Sequence, residues 1–237
     1  MKSPLKSVLC LRALVFAAVF AVACASGLAK ESALNYLKAG KPEAATLLAP
    51  PPLPGSAEEA ADLNEVRAVY HAASSNDLAA AYAEKSFSVF NFAAAVGPFL
   101  VATNLPKTTM FFAKVQSDAA TVTDVGKDFF KRPRPYTTDP SLSNGKLEKS
   151  FSYPSGHSTE SMVLALVLAD LFPDKREAIV AHARLMGWHR VQIARHYPTD
   201  IFAGRTLALA IVKQFKKSDA FQTDFEAAKA ELASAQP

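Results

Sequence analysis

Cysteine is nearly absent from this 237-residue chain, and its only two, Cys10 and Cys24, fall within the first 25 residues. The 212 residues beyond them form no intramolecular disulfide and must be held together by an ordinary buried core. A strong charge of one sign is missing too. The formal net charge is +4, but Lys2, Lys6 and Arg12 supply three of the 26 basic residues, and none of the 22 acidic ones lies in that segment. The remainder is close to neutral and carries no Lys/Arg stripe, which argues against a nucleic acid polymer as partner. Alternating strand patterns are scarce, no internal repeat is visible, and no series of membrane spans is present. What is left is one helical domain of some size.

Residues 1–25 read as a secretory signal peptide: three basic residues precede the apolar run "ALVFAAVFAVACA", which ends in small residues. The run is shorter than the about 20 apolar residues of a membrane span. A periplasmic or secreted location follows. Ala21, Val22 and Ala23 before Cys24 resemble a lipoprotein cleavage box, with Ala21 where Leu is usual, so lipidation at Cys24 is the other processing route. Residues 26–56 read as an arm stiffened by "APPPLPGS", and residues 57–237 as the helical domain. Ser56 and Glu59 make a capping-box pattern for a helix over Ala57–Ala72. A second helix is expected from Asn76 or Asp77 through to the Gly97-Pro98 break. A third should span about Lys107 to Phe130, a nearly all-apolar helix "STESMVLALVLADLF", a further helix capped by Asp174, another opened by Pro198, and an amphipathic tail. The fold class is all-α.

Three clusters stand out from this background. In "KDFFKRPRP", Lys127 lies on the last turn of a helix and Arg134 in its proline-stiffened exit. That presents a point charge and a planar fork from rigid backbone. Lys131 and Arg132 read as a solvated helix end. In "PSGH", Ser155 offers a hydroxyl and Gly156 an unshielded amide at a helix N-terminus, where an anion fits, and His157 can donate a proton at mildly acidic pH. In "HRVQIARHYPTD", Arg190 adds a third cation. There Pro198 starts a helix with Asp200 in its first turn and His196 just before it. An Asp200–His196 hydrogen bond would fix the ring tautomer and free the other nitrogen to attack. Three cations, an anion pocket, an acid and an oriented nucleophile describe phosphoryl transfer through a phosphohistidine. His71 and His182 read as surface or local contacts.

The spacing Lys127-(six residues)-Arg134-Pro135, Pro154-Ser155-Gly156-His157 and Arg190-(five residues)-His196-(three residues)-Asp200 resembles the signature of the type-2 phosphatidic acid phosphatase superfamily. With the export signal and the proline arm, the chain is similar to its soluble branch, the bacterial class A non-specific acid phosphatases. The resemblance implies a compact multi-helix bundle in which His196 attacks phosphorus, His157 protonates the leaving oxygen, and Asp200 orients His196. Lys127, Arg134, Ser155, Gly156 and Arg190 would bind the phosphoryl group. The substrates implied are small phosphate monoesters such as nucleotides and sugar or aryl phosphates, with no metal or other cofactor, no integral membrane domain, and a homo-oligomeric state. In one departure from the pattern, His189 stands where the family usually has Ser, so substrate preference is open. A lipid or isoprenoid phosphate phosphatase is the nearest rival reading. A vanadium haloperoxidase, which binds vanadate in the same pocket but is generally much longer, and a phosphate-binding protein are more distant ones.

Overall fold

The computed structural model describes residues 34–236, and the expected signal peptide and the start of the arm lie outside them. Among the described residues there is no strand, and the helices of nine residues or more are α1 (Ala57–Ala72), α2 (Ser75–Ala83), α3 (Pro106–Phe130), α4 (Gly156–Leu171), α5 (Arg176–Gln192), α6 (Pro198–Phe215) and α7 (Asp219–Ala235). The all-α class holds. Among these residues no helix is long and apolar enough to cross a membrane.

The bundle is built around α4. Every residue from Met162 to Ala169 is buried, as an apolar helix without a polar face must be. Each large side chain in that run contributes about 1.5–3 kcal/mol relative to exposure. Its chief neighbours are α5 and α6, then α3, with α7 laid along α3. Glycine makes the closest crossing possible. A Cβ on Gly204 of α6 would stand 2.9 Å from the Ser155 carbonyl oxygen and 3.1 Å from the Thr159 amide nitrogen. The first turns of α4 and α6 therefore meet backbone to backbone, and the Ser155 amide donates to the Asp200 carbonyl at 3.1 Å.

The segment before α1 is tied to the core. Tyr36, Leu37, Ala44 and Leu48 are buried in it. The carboxylate of Asp118 on α3 accepts from the amides of Asn35 and Tyr36, both at 2.8 Å, and of Leu37 at 3.2 Å. Tyr153 reaches back to donate to the Ala49 carbonyl at 2.5 Å.

Helix α1 has the expected bounds, and Ser56 Oγ accepts from the Glu59 amide at 3.1 Å; the Glu59 carboxylate reaches the Gly55 amide. Two expectations are corrected. The second helix does not run on to Gly97: it stops at Ala83, and separate short turns cover Val89–Phe92 and Ala93–Val96. Ser88 and Asn91 cause the break, because Ser88 Oγ accepts from the Phe90 amide and Asn91 Oδ1 from the Ser88 amide, starting a new turn where a helix would continue. Asp174 is not the cap of α5. It lies inside the 3₁₀ turn Pro173–Lys175, and α5 begins only at Arg176.

Replacing Gly204 with Ala should cost about 1–3 kcal/mol, since the atoms its methyl meets are backbone and cannot rotate away. Urea unfolding of the variant checks this, and a midpoint equal to the parent's would contradict the close crossing.

Candidate active site

The three motifs converge at one end of the α4–α6 pair. Helix α3 ends on Lys131, whose left-handed backbone (φ 51°) turns the chain into Arg132-Pro133-Arg134 and leaves Lys127 on the last turn. Lys127 Nζ would lie 3.3 Å from a Cβ on Gly156, so the ammonium sits against the start of α4. Ser155 caps that helix, accepting from the Ser158 amide at 3.3 Å, which leaves its own O–H free to donate. After α5, a second left-handed residue, Ala194 (φ 52°), folds the chain back sharply. The amides of Arg195 and His196 then both reach the Arg190 carbonyl, at 2.8 and 3.2 Å. A non-glycine residue in this conformation is strained, and here it aims His196.

His196 is buried, with Nδ1 3.2 Å from Asp200 Oδ2 and Nε2 3.1 Å from Arg134 Nη1. A guanidinium can only donate, so Nε2 carries the lone pair and Nδ1 the proton. Burial first, then Arg134, holds this imidazole well below its usual range, keeping it neutral. The tautomer is the one nucleophilic attack through Nε2 requires.

Asp200 is fully buried and meets four donors: His196 Nδ1, the Ser152 hydroxyl, the Tyr197 amide at 2.9 Å and Arg132 Nη1 at 2.7 Å. Burial raises its carboxyl above the ordinary range, while Arg132, Ser152 and the Tyr197 amide pull it back. Arg132 overturns its expected role as a solvated residue. It is 3% exposed, pairs with Asp62 of α1 at 2.7 Å as well as with Asp200, and stacks 3.7 Å over the Tyr197 ring. The cue was available in part: Arg132 directly precedes Pro133 on the same rigid exit and is as well placed to point inward as Arg134. Asp62, however, gave no sequence signal, since it is one acidic residue among several on α1.

Arg134 and Arg190 come together on a residue that sequence reasoning missed. Glu148 Oε2 lies 2.7 Å from Arg134 Nη2, and its Oε1 accepts from Arg190 Nη2. Burial works against its charge, but Arg134 and Arg190 outweigh that and push the carboxyl down to about 2. Arg190 Nε is buried without a partner among the described residues, an unused donor beside the cation cluster.

His157 faces the same cluster and is held at about 3 by its enclosed position and then by Arg190, with Lys127 adding to the effect. Its Nε2 is 3.2 Å from the Glu84 carbonyl oxygen at the broken end of α2. The Glu84 carboxylate in turn pairs with His189 Nδ1 at 2.7 Å. His189 thus braces, through Glu84, the backbone that meets His157. His71 is exposed, and His182 packs edge-on against Phe92, 5.2 Å between ring centroids, outside the cluster. Among the described residues no group of three or more His, Cys, Asp or Glu is arranged to hold a metal ion.

Fold and site together define an all-helical protein that gathers two imidazoles and several cations at one end of its bundle. Residues 106–221 match the family profile described as the PAP2 superfamily, so this stretch carries a PAP2 superfamily domain. Over nearly its whole length the chain is similar to a non-specific acid phosphatase of Providencia stuartii, at 28% identity covering 97% of each chain. An acid phosphatase of Zymomonas mobilis is 28% identical over 78% of this chain and 74% of its own. A lipid A 1-phosphatase of Rhizobium etli shares 45% identity over 53 residues, 22% of this chain and 23% of that one.

Arg132→Ala is expected to cost about 3–5 kcal/mol, because it leaves the Asp62 and Asp200 carboxylates buried without their cation. Thermal and urea unfolding measure it. A loss under about 1 kcal/mol would show that the Arg132 network is dispensable.

Proposed function

We propose that this chain is a secreted, metal-independent acid phosphatase that hydrolyses small phosphate monoesters through a phosphohistidine on His196. The observation that carries the reading is the neutral His196 ring, with Nδ1 on Asp200 and the Nε2 lone pair directed at the Arg134 guanidinium among three converging cations. Lys127, Arg134 and Arg190, the Ser155 hydroxyl and the Gly156 amide would take the non-bridging oxygens. Each cation is worth about 4 kcal/mol per unit charge at 4 Å and an effective dielectric near 20.

His196 Nε2 would form the bond to phosphorus as the ester P–O bond breaks, and the leaving oxygen would take its proton from His157. Asp200 stabilises the imidazolium that this attack creates. A water would then attack phosphorus, giving its proton to His157 while the P–N bond breaks, and inorganic phosphate leaves. In the ligand-free protein His157 is neutral in the mildly acid range, held low by burial, Arg190 and Lys127. A phosphate dianion between those cations offsets their field and raises the imidazole, so the acid forms only with substrate bound.

Export rests on residues 1–25 and is part of the proposal. The lipid-phosphate reading keeps one specific support, the 53-residue likeness to a lipid A 1-phosphatase. It predicts a preference for detergent-dispersed substrates over nucleotides and aryl phosphates.

Purified protein should release p-nitrophenol from its phosphate ester at mildly acid pH with EDTA present, and His196→Ala should lose at least about a thousandfold in kcat. Loss of wild-type turnover on adding EDTA would overturn metal independence, and a mutant of near-parental rate would overturn the phosphohistidine.

The pH dependence follows from the two imidazoles. His196 is active when neutral and its pKa lies well below 6.5, so the acid limb should fall well below that of an ordinary histidine. The alkaline limb reports loss of the proton on substrate-loaded His157. A bell with its optimum on the acid side of neutrality is expected, and a flat rate from about pH 5 to 9 would contradict the assignment.

A further inference from the structure

The two arginines assigned to the phosphoryl group already hold an anion that belongs to the chain. Glu148 places one carboxylate oxygen on Arg134 and the other on Arg190, the two-oxygen bridge that a phosphate would make between the same two guanidinium groups. Arg134 has little else to offer. Its Nε donates to the Ser150 carbonyl at 2.9 Å, Nη1 to the Arg195 carbonyl at 2.9 Å and towards His196 Nε2, and Nη2 to Ser150 Oγ at 2.9 Å and the Phe151 carbonyl at 3.2 Å. Of the acceptors around it, the Glu148 carboxylate is the one on a long side chain open to solvent, with 34% of that side chain exposed.

The backbone at Glu148 is pinned while its side chain has somewhere to go. Tyr136 Oη lies 3.0 Å from the Glu148 carbonyl oxygen and 3.2 Å from its amide nitrogen, fixing the main chain. Next to the carboxylate opens a cavity of about 470 Å³ whose lining includes Lys85, Lys146, Lys149 and Tyr82. These three lysines form no ion pair among the described residues and could receive a displaced carboxylate.

Resting on the phosphatase reading for the assignment of Arg134 and Arg190, we propose that Glu148 is a displaceable internal counter-anion. It competes with the phosphoryl group for both arginines and so sets the affinity for substrate and for product phosphate. Without a ligand it offsets the mutual repulsion of the cations and keeps them in position. When a phosphate enters, two anions cannot share the pair, so the carboxylate swings out and the energy of the broken bridge is subtracted from binding. The charge on Glu148 persists through the acid range, so it is driven off by competition and not by protonation. A phosphate held less tightly is also released sooner, which suits an enzyme whose product carries the same group as its substrate.

The test is the affinity for inorganic phosphate of the full chain and of Glu148→Gln, by calorimetry and by competitive inhibition of p-nitrophenyl phosphate hydrolysis. Gln keeps the shape and removes the charge. Glu148→Ala removes both, and circular dichroism confirms that each variant is folded. The proposal expects phosphate to bind the Gln variant about tenfold more tightly, with KM falling in the same direction. Unchanged or weaker binding in both folded variants overturns it, since Glu148 would then be neutral towards phosphate or would assist it. Calorimetry needs no turnover, which separates the two readings. Tighter phosphate binding by the Gln variant in a protein that hydrolyses nothing would uphold the counter-anion and sink the phosphatase. Hydrolysis by the parent with unaltered affinity in the variants would do the reverse.

Discussion

The guanidinium of Arg132 joins three parts of the chain that lie far apart in sequence. One fork reaches Asp62 on α1, another reaches Asp200 on α6, and the plane lies on the Tyr197 ring just ahead of α6. Thr199 closes the group by donating to Asp62 while accepting from Arg132. An ion set with this little exposure does not add much to net stability, because desolvation consumes most of the Coulomb gain. Its value lies in geometry. Asp200 can hold His196 Nδ1 only if its other oxygen is held too, and Arg132 does that from the end of α3, a helix that also supplies Lys127. His196, Lys127 and Arg134 are therefore referenced to the same helix end.

The same logic explains the close crossing of α4 and α6. Ser155 and Gly156 must face His196, yet they start a different helix. Their register is set by the Ser155 amide on the Asp200 carbonyl and by the absence of a side chain at Gly204. Asp200 thus acts through its carboxylate on His196 and through its carbonyl on the turn that opens α4. A displacement at one end of this contact is felt at the other.

How much of this was legible depended on whether the signal was local. Pro198 with Asp200, Ser56 with Glu59, and the unbroken apolar run of α4 are rules of a single turn or a single helix, and they placed those elements within a residue or two. The convergence of Lys127, Arg134, Gly156, Arg190 and His196 was readable because residue type and spacing together specify a charge pattern. The residues that escaped are those whose role depends on a partner far away in sequence. Arg132 looks like any helix-end cation until Asp62, 70 positions earlier, is brought beside it. Glu148 lies in a polar loop with no periodicity. The break after Ala83 came from Ser88 and Asn91 capping each other, a local competition that apolar periodicity conceals. His189 was visible as an oddity, and its partner Glu84, 105 positions away, was not.

The electrostatics of the site point to a protein set for its ligand and not for itself. Burial first, and then nearby cations, drive both imidazoles neutral: Arg190 and Lys127 act on His157, and Arg134, Arg190 and Lys127 on His196. In the proposed mechanism neutrality is the reactive state of His196. For His157 it would be the wrong state for donating a proton, and burial, followed by Arg190 and Lys127, is responsible. An anion lying among them would offset the Arg190 and Lys127 charges that add to burial in depressing His157, and the Glu148 carboxylate already pushes it the other way. A phosphate dianion carries more charge to that position than a carboxylate does. In the proposed mechanism, the group that binds there therefore brings the charge that creates its own acid.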